Sequence, residues 1–315
     1  MNKILLFGGS GFIGSNLASF FLQQGFEMHL VLRKNSSLWR ISRILSEINI
    51  HYDSIANSEN IDSLIRSITP EIIVNASGVV KGESITDQYG VIESNLALTV
   101  NIVNSYIRSK ADILLNTGSA KEYGFSPTAI NENYHGIPVG LYGVTKKAAT
   151  EYSQFMSLKY MRKIITLKLF TPYGPFDSVD RLIPNCIVNL IQGRIPSIRN
   201  LNGIRDYIYI DDVSRAYLYT INKISELNYG SVINVGNGVP ITVKEILSLL
   251  SNIISKEYNI EHFGGSYMNN STDTLYPNNE KLKSLGWKGN DDLHSGLSKT
   301  VEWFKNNIQH YQEIK

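Results

Sequence analysis

The chain of 315 residues contains one cysteine, Cys186, so it can form no intrachain disulfide, which fits a reducing compartment. Cys186 lies among apolar residues at helical spacing, a pattern of core packing more than of a nucleophile. An excess of either charge is also missing: 30 Lys and Arg stand against 28 Asp and Glu, a net charge of +2, and the basic residues are scattered. Tracking a nucleic-acid backbone takes a concentrated basic face, so no such partner is expected. No segment reaches the roughly 18 unbroken apolar residues of a membrane span, and no signal-peptide pattern precedes the first strand, so the expectation is a cytoplasmic protein without a membrane partner. There is no internal repeat or low-complexity tract, and no metal site is expected.

What is present is a 43% hydrophobic chain, able to bury a large core. Short apolar runs at Ile4–Phe7, Met28–Leu32, Ile48–His51, Ile72–Asn75, Ile113–Asn116 and Ile164–Leu169 alternate with helical patterns at Gly11–Gln24, Ser84–Ser109 and Leu141–Lys159. That alternation predicts an α/β fold, a doubly wound parallel sheet with right-handed crossovers. Beyond Phe170 the rhythm gives way to loops rich in Pro, Gly and Asn, among them 269–273 and 277–279, with helices expected near Leu182–Gln192, Val243–Ser255 and Leu293–Asn306. The expected division is a larger α/β domain over 1–170, with a return contribution from about 206–240, and a smaller α/β lobe over 171–205 and 241–315.

Directly after the first strand comes Gly8-Gly9-Ser10-Gly11-Phe12-Ile13-Gly14, leading into a helix. A glycine turn there lets backbone N–H groups approach a pyrophosphate and points the positive helix end at it; the plainer alternative is a tight turn without a ligand. No Gly-Lys-Ser/Thr follows, which excludes a P-loop. About twenty residues on, NAD-binding proteins place an acid that hydrogen-bonds the ribose. Here the second strand ends Val31-Leu32-Arg33-Lys34; Arg33 and Lys34 suit a 2′-phosphate, so NADP(H) is expected in preference to NAD, against the alternative of a solvated basic loop.

Tyr142-Gly143-Val144-Thr145-Lys146 places a phenol and an ammonium one helical turn apart. The ammonium would draw the phenol pKa from about 10 toward neutrality, as a general acid or base requires. The same spacing at Tyr106/Lys110, Tyr219/Lys223 and Tyr311/Lys315 suggests surface pairs. Only Tyr142 opens the long helix after the fifth strand, which ends Thr117-Gly118-Ser119, so the Ser119 and Tyr142 hydroxyls could hold one carbonyl between them.

With Asn75-Ala76-Ser77-Gly78, Asn95, Ser119, Tyr123-Gly124, Tyr173-Gly174-Pro175, Arg181-Leu182-Ile183-Pro184, Arg205 to Val213 and Leu285-Gly286-Trp287 following in order, the chain resembles the extended short-chain dehydrogenases/reductases. The resemblance is to their nucleotide-sugar epimerases, dehydratases and reductases, and it covers nearly the whole chain. It implies a Rossmann-type sheet with Ser119, Tyr142 and Lys146 as catalytic residues. The cofactor would lie against Gly8, Ser10, Gly11, Phe12, Ile13, Gly14, Arg33, Lys34, Ala76, Ser77, Gly78, Asn95, Thr117, Tyr142, Lys146 and Phe170. A nucleotide-diphosphate sugar would meet Ser119, Ala120, Lys121, Thr171, Arg181, Leu182, Asn185, Ser197 and Arg205, with Arg205 either on the diphosphate or in a buried ion pair. A homodimer through the helices containing Asn95 and Tyr142 is implied too.

Sugar 4,6-dehydratases of this kind carry Asp-Glu after the catalytic Ser/Thr; here Ala120-Lys121 stand there, and alanine is no general acid. The epimerase/reductases that make GDP-fucose use a Cys and a His where this chain has Ser119-Ala120 and Phe176. Thr171 replaces an Asn found in many relatives. The pattern is most similar to NADPH-dependent 4-ketoreductases that finish nucleotide-linked 6-deoxyhexoses such as abequose, paratose or fucose for surface polysaccharides. An NAD-dependent 4-epimerase is the alternative, and a non-catalytic dinucleotide sensor a lesser one.

Overall fold

The computed structural model describes residues 2–52, 57–80, 88–254 and 273–311. Seven parallel strands form the main sheet: β1 (Lys3–Phe7), β2 (Glu27–Leu32), β3 (Asn49–Tyr52), β4 (Ile72–Asn75), β5 (Ile113–Ser119), β6 (Lys163–Leu169) and β7 (Val232–Val235), in the order β7-β6-β5-β4-β1-β2-β3. The order reverses direction at β1, which pairs with β2 on one side and β4 on the other. Phe7 lies level with Val31 and Asn75, and Asn75 with Asn116, so the loops leaving β1, β4 and β5 emerge side by side at this switch point. Open α/β sheets bind their ligands in that crevice.

Two buried layers explain why the central strand β1 is apolar at nearly every position. Along β1, Ile4 and Leu6 join one core cluster and Leu5 and Phe7 the other. Successive side chains alternate faces, and both faces are covered by helices. One layer takes Leu17, Ala18 and Phe21 of α1 (Phe12–Gln23); the other takes Ile61 and Ile65 of α2 (Ser58–Ile68), Ile102 and Val103 of α3 (Leu98–Arg108), and Met156 of α4 (Gly140–Tyr160).

Beyond β6 lie α5 (Leu182–Ile191), α6 (Ile210–Asn222), α7 (Val243–Ile254) and α8 (Leu293–Asn306). Two small sheets accompany them: Ile204–Arg205 lies between Ile241–Thr242 and Thr274–Leu275, and Pro172–Tyr173 pairs with Ile208–Tyr209. Helix α6 packs on α1, so the chain returns to the first half before β7 extends the sheet beside β6. No helix among the described residues is long and apolar enough to cross a membrane.

The expected helix over Ser84–Ser109 is divided. Residues 84–87 lie outside the described residues; Gln88–Ile92 is helical, Glu93–Ala97 forms a π turn and α3 follows. The expected end of α7 at Ser255 and the loop residues 269–272 also fall outside them. Tyr106 is not the surface residue its spacing suggested: it is fully buried, donates to the carbonyls of Asp112 and Lys163, and carries Arg162 against its ring.

Candidate active site

The glycines of the first turn are held to different constraints. Gly8 has φ +82°, and a Cβ there would sit 2.7 Å from Ser77 N in the loop after β4. A Cβ on Gly14 would lie 2.2 Å from the Gly8 carbonyl oxygen, so this glycine is needed for helix α1 to close on β1. Gly11 is exposed, its φ is an ordinary −79°, and its nearest clash partner is 3.4 Å away. Nothing inside the protein requires a glycine at 11, whereas close approach of a ligand does. Gly11 is also the N-cap of α1, with no side-chain cap and no acid in the first turn. The leading amides of α1, from Phe12, Ile13 and Gly14, therefore keep their donors for an anion. These residues fit the pyrophosphate of a dinucleotide.

At the end of β2, Leu32 is buried while Arg33 and Lys34 are exposed. The position where an acid would meet a ribose thus belongs to the core, and the first side chains beyond it are cations. Lys146 is buried between the loop after β4 and the end of β5: its Nζ donates to the carbonyls of Ser77 and Thr117, both at 3.0 Å. An ammonium has three donors, and these two bonds leave one for a ligand. Gly78 lets the lysine in, since a Cβ there would stand 3.3 Å from its Cε and Nζ.

Asn95, in the π turn, is fully buried. Its amide accepts from Val79 N at 2.8 Å and donates to Val79 O at 3.0 Å and Thr145 Oγ1 at 3.1 Å. Expected beside the cofactor, this side chain is committed to fastening the post-β4 loop to α4. Asn75 adds a second fastening, donating to Asn116 Oδ1 at 3.0 Å and Thr99 Oγ1 at 3.1 Å while accepting from the Ser77 amide and hydroxyl. Ala76 is half-buried, and Phe170 is buried against Tyr123. The Thr117 hydroxyl bonds that of Tyr217 at 2.6 Å, leaving its carbonyl to Lys146.

The structure brings Tyr142 and Ser119 together, the serine side chain near enough to the phenol to lower its pKa. Gly143 makes this possible: a Cβ there would meet the Lys121 carbonyl at 2.5 Å, so the first turn of α4 can press onto the Ser119–Tyr123 segment. The phenol does not shift as the Tyr-x-x-x-Lys spacing implies. Burial pushes its pKa up to about 12, helped by the negative charge of Glu122 and opposed by Arg181 and Ser119. Lys146 is pulled down to about 8 by its own burial, against Glu122. With the ammonium committed to two carbonyls, desolvation decides, and Tyr142 rests as a neutral phenol.

Glu122 and Lys168 were missed in the sequence. Ser119 N donates to Glu122 Oε1 at 2.7 Å, and Lys168 Nζ stands 3.2 Å from Oε2, with Glu122 and Lys168 buried.

On the open side, Lys121 Nζ lies 5.8 Å from the centre of the Tyr142 ring. Arg181, at the N-cap of α5, pairs with the buried Asp177 at 3.6 Å and is close enough to Tyr142 to lower its pKa. Leu182, Asn185 and Thr171 are half-buried and Ser197 is exposed. Arg205 donates to the carbonyls of Ile204 and Asp273 and lies over the Phe125 ring at 5.2 Å, with the Asp273 charge acting on its guanidinium.

A latch of rings ties the two sides. Trp39, six residues past Arg33, packs on Phe176 at 5.4 Å and stacks on His310 at 4.9 Å, and Phe176 meets Trp303 at 4.8 Å. Arg40 Nε donates to the Phe176 carbonyl at 2.9 Å and Asn16 of α1 to that of Pro175 at 3.1 Å. These contacts hold Phe176 at φ +70°, where a bulky residue is strained.

A doubly wound sheet with a dinucleotide cradle beside a Ser–Tyr–Lys group defines an enzyme of the oxidoreductase type. The chain belongs to the NAD dependent epimerase/dehydratase family, whose pattern matches residues 4–236. It is 27% identical to the UDP-glucuronate 4-epimerase of Thermodesulfobacterium geofontis, over 100% of both chains. It is 25% identical to the CDP-abequose synthase of Salmonella typhimurium, over 95% of this chain and 97% of that one. The fold matches the UDP-glucose 4-epimerase of Thermotoga maritima, solved with UDP-glucose, at a TM-score of 0.87 and 22% identity, covering 97% and 99% of the two chains.

Proposed function

We propose that this enzyme reduces the C4 ketone of a nucleotide-linked 4-keto-6-deoxyhexose with NADPH, in the cytoplasm, toward surface polysaccharide. The observation that carries the reading is the end of β2, where the acid expected by NAD is replaced by buried Leu32 followed by exposed Arg33 and Lys34. Bound dihydronicotinamide supplies the hydride. Tyr142 and Ser119 hold the ketone oxygen between their hydroxyls, and Tyr142 gives it the proton that makes the alcohol. Its raised pKa suits this direction, since a reduction needs the phenol and an oxidation the phenolate. Lys146 anchors the cofactor ribose through its remaining donor, while Arg181 and Arg205 meet the diphosphate of the sugar nucleotide. Ala120-Lys121 offer no carboxylate to eliminate water.

The full-length likeness to a UDP-glucuronate 4-epimerase favours a second reading, an NAD-dependent nucleotide-sugar 4-epimerase. Incubating the protein with NADPH and a panel of nucleotide-linked 4-keto-6-deoxyglucoses, followed by absorbance and product NMR, separates the two. Stoichiometric NADPH oxidation supports the reductase. Interconversion of 4-hydroxyl epimers without NADPH consumption replaces it with the epimerase.

The enzyme acts as a homodimer in this proposal. Val144, Phe155 and Leu158 project exposed from one stripe of α4, beside exposed Tyr89 and Ile92 on the helix Gln88–Ile92 packed against it. Sedimentation of a monomer at micromolar concentration would remove this assembly.

A further inference from the structure

We infer that Glu122 is a positioning residue for the reaction: buried beneath Ser119 and backed by Lys168, it fixes the serine's backbone and holds a negative charge behind Tyr142 and Lys146. The inference rests on the reading of Ser119, Tyr142 and Lys146 given above.

The geometry has three parts. Ser119 N donates to Glu122 Oε1 at 2.7 Å while Lys121 N donates to Ser119 Oγ at 3.2 Å, a reciprocal capping box that sets the Ser119 backbone and directs its hydroxyl. Gly118 leaves space for the carboxylate, since a Cβ there would lie 2.7 Å from Oε1. Lys168 reaches in from β6, its Nζ 3.2 Å from Oε2 but off the line of a hydrogen bond, so Oε2 accepts none. The same ammonium lies 3.8 Å above the centre of the Tyr123 ring. A carboxylate bonded on one oxygen only and balanced by a single cation keeps much of its field inside the protein.

That field falls on the reacting groups. The groups facing Glu122 are Lys168 from β6, Tyr142 and Lys146 from α4, and Ser119 and Tyr123 from its own turn; Glu132 acts on Tyr123 as well. Tyr142 is faced in addition by Arg181 from α5, by the Lys121 ammonium and by Tyr217 of α6. Among these, Glu122 is the anion that favours the protonated form of both Tyr142 and Lys146. A reductase gains from this, because its acid stays loaded as pH rises.

The carboxylate stands one residue beyond the place where the dehydratases that the sequence resembles carry a Glu. It does not restore elimination chemistry: it is buried under Ser119 and turned away from the open side of the site.

Two substitutions in the full-length protein separate charge from placement. Glu122→Gln keeps an acceptor for Ser119 N and removes the charge; the basic limb of the kcat/KM profile for ketone reduction is expected to move down by about one pH unit, a relative loss that reaches about tenfold only at pH values above the limb. Glu122→Asp keeps the charge but falls short of Ser119 N; kcat is expected to drop about tenfold or more with the limb unmoved. Because Glu122→Gln strands Lys168, Glu122→Gln/Lys168→Met is made alongside it, and the same downward shift is expected. Whatever substrate the enzyme takes, the Tyr142 phenol is read by a rapid pH jump, as the near-ultraviolet phenolate signal of each protein minus that of its Tyr142→Phe counterpart. Its midpoint is expected about one unit lower without the Glu122 charge. An unmoved midpoint and limb in the Gln variants overturns the electrostatic role, and unchanged kcat in Glu122→Asp overturns the placement. Should the sugar panel give no turnover, the reductase reading fails while the phenol titration still decides the role of Glu122.

Discussion

The glycine turn makes two opposite demands that a pair of alanine substitutions pulls apart. A methyl group on Gly14 would stand 2.2 Å from the Gly8 carbonyl oxygen and 2.9 Å from Gly9 Cα, both backbone atoms that cannot rotate away. Relief requires α1 to lift off β1, so Gly14→Ala should destabilise by about 3 kcal/mol or more, in the upper range for overpacking. For a chain of this length that lowers the melting temperature by roughly 5 °C. A methyl on Gly11 meets nothing nearer than 3.4 Å, at an unstrained φ of −79°. Gly11→Ala should leave stability within about 1 kcal/mol, the lost N-cap preference offsetting the gain from a less flexible unfolded chain. Cofactor affinity should still fall at least tenfold, or about 1.4 kcal/mol, because the methyl enters the space the pyrophosphate needs. Differential scanning fluorimetry and NADPH fluorescence titration measure the two quantities. A Gly14→Ala protein that melts like the parent, or a Gly11→Ala protein that binds NADPH like the parent, refutes the assignment.

Replacing Tyr142 with Phe removes the proposed proton donor, and turnover should fall by about 10²–10⁴ with NADPH binding nearly unchanged, as steady-state assays and titration will tell. Arg33→Ala should weaken NADPH much more than NADH; equal losses in parallel titrations would remove the 2′-phosphate from this position. Asp177 is buried with its Oδ2 unbonded, and burial raises its carboxyl to about 6 despite Arg181 and Arg40. Folding therefore favours its protonated form: the penalty, up to about 3 kcal/mol, is present in full above pH 6 and fades as pH falls toward the unfolded value near 4. Asp177→Asn should accordingly raise the melting temperature at neutral pH and lose that advantage by about pH 4. Equal gains at both pH values would contradict the assignment.

The parts of this site written in consecutive residues were legible. The glycine turn, the cations after Leu32 and the Tyr142/Lys146 spacing are local patterns, each within one strand–loop–helix step. The parallel sheet was equally readable, because its strands are apolar on both faces. Glu122 and Lys168 were not, since they are 46 positions apart and meet only because β5 and β6 are neighbours with Gly118 level with Lys168. The π turn around Asn95 leaves no mark on hydrophobic spacing, and its reason is a bond to Val79 in another loop. The two-residue strands at Ile204–Arg205 and Thr274–Leu275 are too short to show a period. The direction of the Tyr142 shift was misjudged because charge spacing is visible in sequence and desolvation is not.

The ring latch between Trp39 and Phe176 bears on how such an enzyme can be altered. The segment that follows Arg33 and Lys34 is welded to the loop of Pro175, Phe176 and Asp177, through aromatic stacking and the Arg40 bond to a strained residue. Under the proposed function, cofactor choice and substrate choice are then not separate modules. A designer converting this protein from one dinucleotide to the other by rebuilding the turn after β2 would disturb Phe176, Asp177 and, through its ion pair, Arg181. Drift in either specificity has to carry the other with it, which confines the accessible variants to paired changes across the cleft.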